Sequence, residues 1–127
     1  MNKTPTLSAE EWRKMQERPK REALPKSSVT EGDILNAIRD VLRAHGWFVV
    51  RHQQGLGSMK GIPDLSAESP TGDHWWIEVK KPSGKLSDDQ GKFRDAVLLR
   101  HGRWMVAKSV EDIEPLIERG AEKWRTS

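Results

Sequence analysis

GIPDLSAESPTGDHWWIEVK, residues 61–80, is the stretch whose reading decides the fold. In its second half the side chains alternate with a period of two, placing Trp75, Ile77 and Val79 on one face of a strand and His74, Trp76, Glu78 and Lys80 on the other. Gly72-Asp73 marks a turn, and the run from about Ile62 to Ala67 before it reads as another short strand. Two acids, Asp64 and Glu78, therefore belong to different strands. If those strands pair as a hairpin, the two carboxylates converge on one edge.

Working outward toward the N-terminus, Trp47 to Val50 is a β-prone run, joined to the next strand by a loop that Gly55, Gly57 and Gly61 should make flexible. Before it, Thr30 to Asp33 has the pattern of a capping box. Ile34, Leu35, Ile38, Val41 and Leu42 then recur at helical spacing until Gly46 stops the helix. On the C-terminal side, Pro82, Ser83 and Gly84 break the strand, and Ser87 starts a second helix with an apolar stripe of Phe93, Ala96, Val97 and Leu98. Trp104 to Ala107 is a fourth strand, followed by a last helix over about 110–119. The order is α-β-β-β-α-β-α. Short links favour a meander of three strands, and the helical crossover favours a parallel fourth, so an α/β domain with a mixed β-sheet flanked by helices is expected.

The length of 127 residues fits one core and a tail, and Pro25 to Ser28 reads as a linker between a basic arm, 1–28, and a domain, 29–127. Ser8 and Glu11 form a capping pattern for a short helix in the arm, with Trp12 and Met15 on one face and a stop at Pro19. The arm holds seven Lys or Arg against four Glu, which leaves 15 of each sign beyond it. Its surplus suits a phosphate backbone, as well as an ordinary solvated tail. No stretch approaches the apolar length of a membrane span and the N-terminus has no secretory signal, so no membrane partner and a cytoplasmic location are expected. The absence of cysteine restricts any metal site to oxygen or imidazole ligands.

Those ligands are where the chemistry points. Two carboxylates from Asp64 and Glu78, with the Val79 backbone carbonyl between Glu78 and Lys80, form a hard oxygen set of the kind that suits Mg2+ or Mn2+. Lys80, on the face of Glu78, could orient or deprotonate a water and offset charge growing on a phosphoryl oxygen. This is equipment for phosphodiester hydrolysis.

The same residues resemble the PD-(D/E)XK nuclease superfamily, and within it the VRR-NUC family. The resemblance runs from residue 30 to about 113 and rests on Glu31, Arg51-His52-Gln53, Lys60 to Leu65, Ile77 to Pro82 and Leu86 to Gln90. It implies a restriction-endonuclease-like core and a magnesium- or manganese-dependent DNA nuclease, often selective for branched DNA such as flaps or four-way junctions. Phage-encoded members resemble Holliday junction resolvases acting as homodimers, so a homodimer in a bacterial or phage-infected cell is expected. The resemblance also implies Glu31 as a further metal ligand and Gln90 as a catalytic helper.

Several of these residues have plainer readings. Glu31 fits a first-turn acid facing the helix dipole, Gln90 completes a capping box with Ser87, and Asp64 after Pro63 fits a turn acid. Glu78 and Lys80 could pair as a surface salt bridge, although their apolar neighbours make that a poor surface. Arg51, His52, Lys60, Lys81 and Lys85 flank the motifs and fit phosphate contacts or a solvated face equally. Two other functions remain open at this point. A non-catalytic DNA-binding or assembly module would bind without cutting, and an RNA-cutting enzyme would prefer substrates bearing a 2′-hydroxyl.

Overall fold

The computed structural model describes residues 8–11 and 29–119. Helix α1 spans Glu31–Ala44 and is opened by the expected box: the Asp33 N–H donates to Thr30 Oγ1, and the Thr30 N–H to Asp33 Oδ2. Three strands follow, β1 (Phe48–Arg51), β2 (Leu65–Glu68) and β3 (His74–Val79). Helix α2 (Asp88–Leu99) leads to β4 (Trp104–Ala107), then to a 3-10 turn (Val110–Ile113) that runs into α-helix over 114–119. The last helix thus begins as a tighter turn, in which Asp112 Oδ2 accepts from the Lys108 N–H. In the arm, Ser8 and Glu11 make their reciprocal cap; the rest of that helix, with Trp12, Met15 and Pro19, lies outside the described residues.

The sheet is mixed, in the order β1-β2-β3-β4, with the first two pairings antiparallel and the last parallel. Its two faces differ. On one, α1 lays Ile34, Leu35, Ile38, Val41 and Leu42 against Val49, Leu65, Ala67, Ile77 and Val79 to make the core, with Ile113 and Leu116 closing it. Trp47 is buried there and Trp75 partly so.

The other face carries Trp76 and Trp104 beneath α2, and here the apolar stripe does not pack as expected. None of the α2 side chains is buried. The helix is seated through an edge-on contact of Phe93 with Trp76 (4.9 Å between centroids), Arg94 over the Trp104 ring, and the close approach of Gly102 to Val97. A helix held at so few points leaves space beside it.

The β2–β3 turn fixes the alignment. Ser69 is buried, its N–H donates to the Asp73 carbonyl (2.8 Å), and its Oγ accepts from the N–H groups of Thr71 and Asp73. Leu65 then stands opposite Ile77 and Ser66 opposite Trp76. A slip of one residue would turn Glu78 to the other face, so this turn governs the site as well as the sheet.

Candidate active site

Carried one step past Leu65 and Ile77, the β2–β3 register sets Asp64 opposite Glu78 on the α2 face. Directly opposed side chains have Cβ atoms roughly 5 Å apart, close enough for their carboxylates to share one ligand. Each is held differently. The Val79 N–H donates to Asp64 Oδ2 at 2.8 Å, and the Asp64 carbonyl accepts from the His52 N–H at 2.8 Å, tying Asp64 to both neighbouring strands.

One further step places Pro63 opposite Val79. Trp76 and Lys80 donate their N–H groups toward β4, to the carbonyls of Arg103 and Ala107, so the alternate residues Ile77 and Val79 turn their backbone groups toward β2. Proline has no N–H to offer the Val79 carbonyl in return. The buried ring of Pro63 thus ends the ladder at the point where Asp64 has taken the Val79 N–H for its own side chain.

Glu78 is 2% exposed, and its Oε2 is buried without a hydrogen-bond partner. Burial, then the facing Asp64 carboxylate, pushes its carboxyl up to about 9; Lys80 opposes the shift and Glu31 adds to it. An acid stabilised in this way would be protonated at neutral pH unless a positive charge arrived. Among the described residues no group of three or more His, Asp or Glu side chains is gathered as a ready metal cage. The donor set is two carboxylates and backbone oxygen, with Glu31 exposed at the start of α1 and near enough to act on Glu78 through its charge. Buried oxygen with no partner and a deficit of positive charge fit a hard divalent cation.

This arrangement has a counterpart in sequence. A model of the VRR-NUC domain matches residues 6–111. The chain belongs to the VRR-NUC family. It is therefore a nuclease-type DNA-processing module. A solved structure described as a VRR_NUC domain superimposes with a TM-score of 0.60 at 27% identity, covering 69% of this chain and 94% of that one. No curated protein matches.

Other motif residues of this VRR-NUC domain have distinct surroundings. Lys80 is half-buried on the Glu78 face, and a Cβ on Gly84 would lie 3.3 Å from both its Cβ and Cδ, so the chain after β3 closes over the lysine stem. Gln90 completes the α2 cap, with the Ser87 N–H donating to its Oε1 at 2.9 Å and the Gln90 N–H to Ser87 Oγ at 3.2 Å. That leaves only its amide nitrogen free of the cap. Arg51 pairs with core-facing Leu65, so strand alternation puts it on the face opposite Glu78, at an exposed strand end. Lys81 and Lys85 are exposed beyond β3, and Lys60 is exposed before the Pro63-Asp64 pair.

Two local features escaped the reading of the sequence. His52 is half-buried, shares a 2.6 Å hydrogen bond from Nε2 to Ser66 Oγ, and stacks on Trp76 at 5.6 Å. Desolvation, then the charge of His74, lowers its pKa against the pull of Asp64, which favours the neutral ring. The glycine loop is also folded on itself: Gln54 Nε2 donates to the Ile62 carbonyl and Ser58 Oγ to the Gly55 carbonyl. At its end, Gly61 (φ +78°) lies against the first turn of α2, where a Cβ would overlap the Asp89 carbonyl and come within 2.9 Å of Gln90 N. A glycine between lysine and an Ile-Pro-Asp run can signal close approach as well as flexibility; here it is the former.

Proposed function

We propose that this chain is a divalent-metal-dependent deoxyribonuclease that hydrolyses phosphodiester bonds in branched DNA such as flaps or four-way junctions. The observation that carries the reading is the opposed pair Asp64 and Glu78, with a buried, unpartnered Glu78 oxygen beside Lys80. Mg2+ or Mn2+ would be held by Asp64, Glu78 and the Val79 carbonyl with help from Glu31, and would supply Lewis-acid polarisation of the scissile phosphate.

The chain's own groups do the rest. The Val79 N–H holds Asp64 in one rotamer. The Lys80 ammonium donates hydrogen bonds that orient the attacking water and offsets negative charge on the phosphoryl oxygens, while the proton of the water passes to solvent. The water oxygen bonds to phosphorus, the opposite P–O bond breaks, and the leaving oxygen takes up a proton. Gln90, through its amide nitrogen, reaches the substrate from α2. Lys60, Lys81 and Lys85 contact flanking phosphates, with Arg51 and His52 at the strand end and the basic arm, 1–28, extending the footprint.

The active unit in this reading is a cytoplasmic homodimer with two active sites, and Phe48 (71% exposed) and Val50 on the edge strand are apolar surface available to a second copy. No helix among the described residues is long and apolar enough to cross a membrane.

The test is cleavage of labelled four-way junction, flap, single-stranded and duplex DNA with magnesium, manganese or EDTA. Metal-dependent cutting of branched substrates, lost in Lys80→Ala, is the expected result. Binding that survives EDTA, with no cutting of any substrate, would make the chain a non-catalytic module.

A further inference from the structure

The shallow seat of α2 leaves a groove of about 530 Å³ between that helix, the sheet and the end of the glycine loop. Small-ligand sites occupy roughly 300–1,000 Å³. Its floor is apolar and largely aromatic, formed by Ile62, Trp76 and Phe93, whose two rings meet at 72° and make a corner. Its rim is cationic. Lys60, Lys92 and Arg100 line it, and none has an ion pair among the described residues. Asp89 contributes the single acidic group.

An apolar aromatic corner rimmed by three cations without ion pairs, of which Arg100 also donates to the Ala96 carbonyl, suits a ligand that is planar and apolar in its body and anionic at its edge. A nucleotide has that character, since its base stacks on aromatic carbon while its phosphates meet lysine and arginine. An apolar peptide would leave the cations desolvated beside it. Position adds to the argument. Trp76 is two residues from Glu78 on the same strand face, a separation of roughly 6.6 Å, which is about the reach of one extended nucleotide.

We propose that this groove is a subsite for one unpaired nucleotide of the bound DNA strand, adjacent to the carboxylate pair. Bases inside a duplex are stacked and paired and cannot enter, whereas those at a flap or junction can, so the groove supplies a physical origin for selecting branched DNA. Asp89 accepts a hydrogen bond from an exocyclic amino group, which favours cytosine, adenine or guanine over thymine. The inference rests on the nuclease reading above, and the experiment separates the two.

The full chain is mixed in EDTA with flap and single-stranded oligonucleotides carrying 2-aminopurine at successive unpaired positions, and the same substrates are then cut in magnesium. At one position binding changes the emission by about threefold or more, as expected when a base moves onto an aromatic surface. Phe93→Ala removes this change. Ala96→Trp, which fills the groove from an exposed helix position, does the same in a protein that melts like wild type. Emission unaltered at every position, or a change that survives Ala96→Trp, overturns the subsite. Cutting without the emission change leaves the nuclease standing and the subsite refuted; the emission change without cutting does the reverse.

Discussion

Replacing Gly61 with alanine tests the join between the Pro63-Asp64 segment and α2. The glycine has φ +78°, a conformation that costs an L-residue about 1–2 kcal/mol. A Cβ would also overlap the Asp89 carbonyl and lie 2.9 Å from Gln90 N, and because both obstacles are backbone, the loop and the helix start must separate. Overpacking of that kind costs about 1–3 kcal/mol, giving a total of about 2–5 kcal/mol. In a domain of this size each kcal/mol lowers Tm by roughly 4–8 °C, so a fall of about 10 °C or more is expected, read by tryptophan fluorescence on heating. Gly57→Ala is the control. Its φ is +89° with nothing within 4 Å of the added carbon, so it carries the conformational cost alone. If Gly61→Ala melts no lower than Gly57→Ala, the packing argument is wrong. Activity measured well below either Tm should fall by about two orders of magnitude in Gly61→Ala only, because Asp64 follows three residues later and a shift of about 1 Å at a reacting group has that effect.

Glu78→Gln probes the buried acid. With its folded pKa raised to about 9 from an ordinary 4.5, the folded protein keeps a proton that the unfolded chain releases. Metal-free wild type should therefore lose this contribution to stability as pH rises from 4.5 to 9, and Glu78→Gln should lack that loss. Melting in EDTA across that range checks this, and a flat wild-type profile would contradict it. Magnesium or manganese should raise Tm in wild type but not in the variant. Gly84→Ala presses on the Lys80 stem, 3.3 Å from the added carbon, and should lower kcat by about three- to tenfold with KM and Tm nearly unchanged; an unchanged kcat would show that the lysine is not positioned from that side.

Much of this architecture was legible because it is written in local patterns. Thr30 and Ser87 announce their helices through the third residue of each, and both boxes form. Alternation from His74 to Lys80 placed Glu78 and Lys80 on one face, and connection lengths gave the antiparallel meander and the parallel crossover. What escaped depends on how separate segments meet at ångström scale. The distance from Gly61 to the Asp89 carbonyl has no local signature, nor does the register step that sets Pro63 against Val79. The α2 stripe of Phe93, Ala96 and Val97 reads as a core face, yet aromatic bulk at Trp76 and Trp104 holds the helix off the sheet. Of the two readings of Gln90, the cap is the one observed, completed by its side-chain oxygen.

The sheet runs in chain order, each strand beside the one that precedes it. Close pairings in sequence have a small loop-closure cost, so the α1-β1-β2-β3 segment is the part of the chain that should collapse earliest, with β4 docking after α2 has formed. Asp64 and Glu78 both belong to that early segment. The two like charges are therefore brought face to face while water still reaches them, and the burial that disfavours the ionised Glu78 comes with the later elements. A divalent cation present during refolding should speed the final docking step more than the initial collapse.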